Sequence, residues 1–480
     1  MSRFIQTLAT LLLLAVPALS CHRQDDPVRP ADPRSISFPE PEVYLSGEAG
    51  GFDVQVEANF AYRVSIDAGW VTADGGTPAR PHFLAEANPY GSDRSCKIRF
   101  TDVDDRYYFK EITVIQSAPE IVLSSISIVD KNATAETKAL LANLWTVADK
   151  GWMFGHHDDL WYGRYWYNEP GGSDTKAVCG DFPAVFSVDF AEIMHKGAAT
   201  QENQIRRRVI LEARERGEVI IACAHLDNPK TGKDAWDNSS QEVVKEILTA
   251  GSATRTKFLG WLDNLADFMN NLKDARGRQV PVILRIFHEH TQGWSWWGSS
   301  CTGDSEFIEL WHLTVTYLRD TKGVHSLLYA VSPQMDGQYS SPKDRIRYRW
   351  PGDDWVDFIG MDCYHGSNNN AFKSNLKALE SVSKEKRKPC GVTEDGIESF
   401  TQSDYWTRFV VTPTEGCRIS MVTMWRNKYV GNNENDKHYY SVYPGHPSED
   451  DFRAMYALDR SLFSADLPPM YEMPEGFEVK

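Results

Sequence analysis

Between residues 37 and 118 apolar and polar positions alternate in short runs, such as Phe52-Asp53-Val54-Gln55-Val56 and Tyr62-Arg63-Val64-Ser65-Ile66. Gly, Asn and Asp interrupt them at intervals of about ten residues, a spacing that predicts a small β-sandwich of immunoglobulin-like type. From about residue 123 the period changes. A helix fits 133–149. Eight apolar runs follow, at 152–155, 184–189, 219–224, 280–287, 327–332, 358–363, 390–393 and 419–425. Amphipathic stretches at 203–216, 256–272, 307–321 and 371–386 lie between them. Buried strands alternating with helices over this length predict a (β/α)8 TIM barrel. An open doubly wound sheet is the alternative, but no Gly-rich phosphate loop follows the first run. The chain therefore divides into 1–20, a linker at 21–36 containing Pro27, Pro30 and Pro33, the sandwich at 37–118 and the barrel at 123–480.

Residues 1–20 have the build of a signal peptide. Arg3 supplies the positive start, and an apolar run from Leu8 to Leu19 is too short to span a bilayer as a mature helix. It ends in Ala18-Leu19-Ser20-Cys21, which resembles the lipobox of bacterial lipoproteins, with Cys21 as the lipidated residue. Asp25 and Asp26 resemble the acidic tags that send Bacteroidetes lipoproteins to the cell surface. The expected location is the outer membrane, lipid-anchored and surface-exposed, with a periplasm-facing anchor as the alternative.

Charge narrows the partners. Of 480 residues, 67 are acidic and 51 basic, a net charge of −16, which excludes the basic footprint that nucleic acid requires. The 15 Trp, 20 Tyr and 22 Phe suit stacking on sugar faces as well as core packing. Apart from Cys21, seven cysteines remain with no CxxC spacing, so a zinc site of the usual spacing is not expected.

Active sites of TIM barrels lie at the C-terminal ends of the strands. Here those ends carry His156-His157-Asp158-Asp159, Asp189, His225-Leu226-Asp227-Asn228-Pro229, His288-Glu289-His290, Asp362-Cys363-Tyr364-His365, Glu394-Asp395 and Trp425-Arg426-Asn427. Glu289 and Glu394 each end an apolar run. Alternation along a strand would put Arg285, Phe287 and Glu289 on one face, with His288 and His290 on the other. Two carboxyls across one sugar subsite are the machinery of a glycosidase. A structural Glu–Arg pair is the competing explanation. His288-Glu289-His290 lacks the spacing of a zinc protease motif. Trp294, Trp296 and Trp297, in a Gly- and Ser-rich loop, are expected to form a sugar-stacking wall.

The segments Arg285-Ile286-Phe287-His288-Glu289, Trp294-Ser295-Trp296-Trp297-Gly298 and Gly391-Val392-Thr393-Glu394-Asp395-Gly396 resemble the acid/base and nucleophile motifs of glycoside hydrolase family 26. Further likeness at Gly155-His156, Asp189, His225, 357–364 and 425–427 extends it over nearly all of 135–465. His290-Thr291-Gln292 departs from the Met-Asn-Gly many members carry there. The resemblance implies a retaining β-1,4-mannanase without a metal or other cofactor, acting as a monomer on β-mannan or manno-oligosaccharide. It implies Glu289 as acid/base and Glu394 as nucleophile, oriented by Tyr364. His288 would fix the geometry. His156, Asp189 and His225 would line the negative subsites. Trp425 would be the −1 platform, Trp294 the +1 stacking ring and Arg426 a −2 contact. A β-1,3-1,4-glucanase, a β-1,3-xylanase or a non-catalytic glycan-binding lipoprotein are the alternatives. Gly69-Trp70-Val71, Asn88, Arg94 and Ile112-Thr113-Val114-Ile115-Gln116 resemble the BACON domain, a spacer or glycan-binding module.

Overall fold

The computed structural model describes residues 34–88, 93–117, 125–431, 433 and 435–480, in two compact units. In the smaller unit, strands Glu42–Leu45, Phe109–Gln116, Arg94–Asp102 and Tyr62–Ile66 form one sheet in that order. Gly50–Asp53, Arg80–Ala85 and Val71–Thr77 form a second. Every pairing is antiparallel except the parallel one of Glu42–Leu45 with Phe109–Gln116. Alternation turns Cys96, Ile98 and Phe100 of one sheet toward Phe52 and Phe83 of the other, in a single shared core. The Arg94 guanidinium lies 4.2 Å from the Trp70 ring centre, and the Asn88 amide donates to the Ser117 carbonyl at 3.0 Å.

The larger unit is a closed barrel. Its strands are β1 (Trp152–His157), β2 (Val185–Asp189), β3 (Val219–Cys223), β4 (Val282–Arg285), β5 (Leu327–Val331), β6 (Phe358–Asp362), β7 (Cys390–Asp395) and β8 (Met421–Met424). Each pairs in parallel with the next, and β1 closes the ring by pairing with both β2 and β8. Closure removes the open-sheet alternative. Helices α1 (Ala135–Thr146), α2 (Gln201–Arg216), α3 (Ala253–Asn271), α4 (Asp304–Thr316) and α5 (Asn369–Lys386) are the longest of the unit.

Parity decides what faces the barrel axis. Met153, Val185, Ile221, Ile283, Leu328, Phe358 and Met421 form one apolar layer with Leu140, Leu141 and Leu144 of α1. That layer closes the floor. Helix α1 starts where the Thr134 hydroxyl accepts from the Thr137 N–H, one of the donors its first turn would leave unpaired. Residues of opposite parity, such as Phe154, Phe186, Ile220 and Leu284, join the larger core between strands and helices. Positions two residues beyond the floor layer, such as Ser187, Cys223 and Arg285, therefore turn toward the mouth. Among the described residues no helix is long and apolar enough to cross a membrane, and the seven cysteines from Cys96 to Cys417 are free. Cys21 and the signal sequence lie outside the described residues.

Candidate active site

The mouth is organised by one buried cation. Arg285, the last residue of β4, keeps the inward parity of Ile283 and is wholly buried. Its Nη1 donates to Asp362 Oδ1 at 2.7 Å, to Oδ2 at 2.9 Å and to Ser332 Oγ at 3.0 Å. Its Nη2 donates to Glu394 Oε1 at 2.7 Å. The Tyr364 hydroxyl donates to Glu394 Oε2 at 2.8 Å, and Thr393 Oγ1 donates to Asp362 at 2.6 Å. The competing Glu–Arg pair is thus real, but it involves Glu394 and leaves Glu289 outside it.

Neither glutamate reaches the mouth by simple alternation. Cys390 and Val392 of β7 face the helix layer, so alternation alone would send Glu394 there too. The register of β7 shifts between Val392 and Asp395 against β8, and a matching shift on the other side sets Glu394 opposite Asp362. This bulge re-aims Glu394 inward and returns Asp395 to the outside, facing His365. On the other strand, the expectation that Arg285, Phe287 and Glu289 share a face is overturned. Strand β4 ends at Arg285, and Phe287 packs outward among Phe258, Phe307 and Trp311. Glu289 turns back to the mouth through a left-handed conformation, φ 52°, with its N–H donating to the Ser332 carbonyl at 2.7 Å. A non-glycine residue held there costs roughly 1–3 kcal/mol and marks functional sites. Asp158, at the end of β1, is also left-handed, and its N–H donates to Ser187.

Glu289 Oε2 accepts from Trp294 Nε1 at 2.6 Å and Gln292 Nε2 at 2.7 Å. One carboxylate oxygen from each of Glu289, Asp362 and Glu394 lies within 4.8 Å of the others. Burial pushes the Glu289 carboxyl well above its usual range, and the negative charges of Glu394, Asp362 and Asp336 add to it. Burial pushes Glu394 up as well, but the Arg285 guanidinium and the neighbouring imidazoles outweigh it and hold the carboxyl down at about 2. Two carboxyls a few ångströms apart are thus driven to opposite protonation states, the signature of an acid and a nucleophile.

Around this pair stand the residues read as sugar contacts. His225 Nδ1 meets Asp189 Oδ2 at 2.6 Å, and His225 Nε2 faces His288 Nε2 at 3.3 Å. The Trp294 and Trp236 rings lie nearly parallel to His225, with centres 5.8 and 5.5 Å away, and 5.6 Å from each other. Trp425 stacks 4.2 Å from His157, and Arg426 donates to the Tyr162 hydroxyl at 3.2 Å. Asn427 braces the loop after β8 by donating to Asp174 and to the Val442 carbonyl, each at 3.0 Å. Asp189, His225, His288, Trp294, Tyr364, Trp425 and Arg426 are therefore brought to one mouth with the two glutamates.

His156 is not among them. It shares the outward parity of Phe154 and meets Thr175 and Asp159 at 3.3 and 3.1 Å beneath the helix Asp174–Cys179. The neighbouring His157 points inward instead, to Ser187 at 2.8 Å. Parity with the apolar Phe154 was the signal that separates them. The expected Trp wall is also corrected. Trp296 and Trp297 are fully buried, donating to the carbonyls of Leu226 and His288, and only Trp294 reaches the mouth. His288 and His290 part company as well, since His290 stacks on Phe307 in the outer layer. Gln292 and Trp236 are mouth residues that no strand-end pattern pointed to, and His157 and Asp362 stand in the strand-end segments without an assigned role. Trp236 is 60% exposed on a loop braced by the Asn228 carboxamide, which accepts from Lys230 and Thr231 N–H.

Residues 129–396 match the sequence family described as Glycosyl hydrolase family 26. That segment ends before Trp425 and Arg426. A mannan endo-1,4-beta-mannosidase of Bifidobacterium adolescentis is 30% identical over 370 residues, which are 71% of this chain and 36% of that protein. One of Thermothelomyces thermophilus is 26% identical over 58% of this chain and 55% of its own length. The chain thus spans between a third and about half of these curated relatives. Among solved structures, a family 26 beta-mannanase of Bacteroides ovatus is 37% identical with a TM-score of 0.66, covering 71% of this chain and 98% of its own.

Proposed function

The chain belongs to glycosyl hydrolase family 26, and from that premise we propose that it is a retaining endo-β-1,4-mannanase acting on mannan, glucomannan or galactomannan. The observation that carries the reading is the placement of Glu289 and Glu394 across a gap of 4.8 Å or less between carboxylate oxygens, with Arg285 bound to Glu394 and not to Glu289. Retaining enzymes hold their carboxyls about 5–5.5 Å apart, whereas inverting enzymes need roughly 6.5–9.5 Å to seat a water.

In the first step ionised Glu394 attacks the anomeric carbon, and Glu289 gives its proton to the departing glycosidic oxygen. Trp294 and Gln292 both donate to Glu289 Oε2, which leaves Oε1 as the protonated oxygen. Tyr364 and Arg285 fix the attacking carboxylate from its two oxygens. Once Glu394 is esterified its negative charge is gone. The acidity of Glu289 then rises, so in the second step it ionises and takes a proton from the water that releases the sugar. Trp425 would support the −1 sugar, Trp294 with Trp236 would stack at the positive side, and Arg426 would meet a −2 sugar. Action as a monomer belongs to the same proposal.

The substrate is tested on carob galactomannan, konjac glucomannan, lichenan and β-1,3-xylan side by side. We expect viscosity to fall faster than reducing ends appear on the first two, and no hydrolysis of the others. Preference for lichenan or xylan would overturn the mannan assignment.

Glu289 must be protonated to act, so its pKa sets the basic limb of kcat/KM. The charge of Asp336 helps keep that pKa high. Asp336→Asn retains the oxygen that accepts the Tyr364 N–H at 2.7 Å but removes the charge. The expected outcome is a basic limb displaced to lower pH with the acid limb unmoved. A pH–rate profile checks it, and an unmoved basic limb would remove Asp336 from the account.

We further propose that Cys21 carries a lipid that anchors the enzyme in the outer membrane, facing outward, and that the small β unit is a BACON-like spacer. The lipobox-like sequence supports the first, and the Trp70–Arg94 contact supports the second. Cys21→Ala is expected to shift the protein from the membrane fraction to the soluble one, and a variant still found in the membrane would contradict the anchor.

A further inference from the structure

The mouth holds a second cluster, to which the hydrolytic mechanism gives no joint task. One ligand atom from each of Cys223, His225 and His288 lies within 4.8 Å of the others. We propose that these three side chains form a site for a borderline divalent cation such as zinc, and that the ion and the sugar exclude one another.

Three observations carry this. The two imidazole Nε2 atoms stand 3.3 Å apart. With Zn–N bonds of about 2.0–2.1 Å, two nitrogens on a tetrahedral ion are separated by roughly that distance. Secondly, the outer partner is already in place. His225 turns Nδ1 to Asp189 Oδ2 at 2.6 Å, which holds the ring with Nε2 facing His288, as in carboxylate–histidine–metal arrangements. Thirdly, His288 Nδ1 is buried without a partner, so that ring can carry its proton there and turn the Nε2 lone pair toward an ion. The ion would stand between the two Nε2 atoms with the His288 proton on Nδ1, and it would displace the proton that burial keeps on the Cys223 thiol, which leaves to solvent.

The neighbouring trio of Glu289, Asp362 and Glu394 differs in that Arg285 already serves it as a cation. No cation is hydrogen-bonded to the Cys–His–His group among the described residues; Asp189 and Glu394 bring negative charge near it, and Arg285, opposite Cys223 on β4, brings positive charge. One thiolate and two imidazoles select zinc, cobalt or cadmium over magnesium and calcium. The fourth position opens toward the mouth. His225 lies 5.7 Å from Trp425, between centres, so an ion there occupies the seat proposed for the −1 sugar. Binding of the ion stands independently of the mannanase reading, and only the exclusion of sugar rests on it. No sequence spacing announces the site, because its ligands come from β3 and the turn after β4 and meet only when the barrel closes.

The test uses the full chain and cobalt(II) alone. We expect one equivalent to give the intense visible bands of tetrahedral cobalt and a thiolate-to-cobalt charge-transfer band in the near ultraviolet. Cys223→Ser, or Cys223→Ala if the serine variant folds poorly, should lose the charge-transfer band while hydrolysing mannan within about twofold of the parent. His225→Gln should weaken the visible bands. Zinc should inhibit the parent in competition with manno-oligosaccharide, reversibly by chelator, and the Cys223 variants should need at least ~10-fold more. Absence of the charge-transfer band in the parent, or its persistence without Cys223, would overturn the site. A cobalt complex with all its bands, but zinc without effect on hydrolysis, would overturn the exclusion of sugar. A protein inactive on every glycan but giving the bands would count against the mannanase reading and not against the site.

Discussion

Glu394→Ala is expected to abolish hydrolysis of mannan, with kcat down ~10³-fold or more, about 4 kcal/mol of barrier. The loss follows from the geometry. Glu394 is the carboxylate held ionised by Arg285 and aimed by the bulge in β7. Asp362 is already bound through both oxygens to Arg285 and by Thr393. Intact-protein mass spectrometry with a slow fluorosugar substrate should show a glycosyl adduct on the parent and none on the variant. An adduct on the Glu394→Ala protein would assign the nucleophile elsewhere.

Glu289→Ala should fail in a different way. Polysaccharide, whose leaving alcohol needs a proton, should be cleaved ~10²–10⁴-fold more slowly. An aryl glycoside with a nitro-substituted leaving group departs unaided, so its first turnover should stay fast and the covalent intermediate accumulate as a burst. Added azide, which needs no general base, should restore turnover and yield the β-glycosyl azide. Equal loss on both substrates, with no burst and no rescue, would reduce Glu289 to a structural role. Its contacts argue otherwise, since Trp294 and Gln292 hold one oxygen and, among the described residues, no cation is paired with the group.

The strands were legible because buried parallel strands read as apolar runs whatever they surround. The ends of those runs also announced the mouth, since Glu289, Glu394, His225 and Trp425 all sit within a few residues of them. What alternation could not supply was the local departure from it. Glu394 faces inward only because of an irregular register between Val392 and Asp395, and Glu289 only because its backbone is left-handed. Nothing in the apolar pattern encodes either. His156 and His157 are the reverse case. Their parity was readable from Met153 and Phe154, and adjacency in a motif obscured it. Trp296 and Trp297 show a further limit. A Gly- and Ser-rich loop looks exposed in sequence, yet these two indoles pack on Phe287 of the β4 turn, and Trp296 also on Phe258 of α3. Asp362 was hidden by its partner, because its role appears only when Arg285 crosses the barrel to meet it.

The central claim is that Glu394 and Glu289 carry out a double displacement on β-mannan. Proton NMR of manno-oligosaccharide hydrolysis, followed from the first seconds at high enzyme concentration, tests it most directly. The account predicts that the newly formed reducing end appears as the β anomer and mutarotates only afterwards. An α anomer formed first, or intact oligosaccharide throughout, would contradict it.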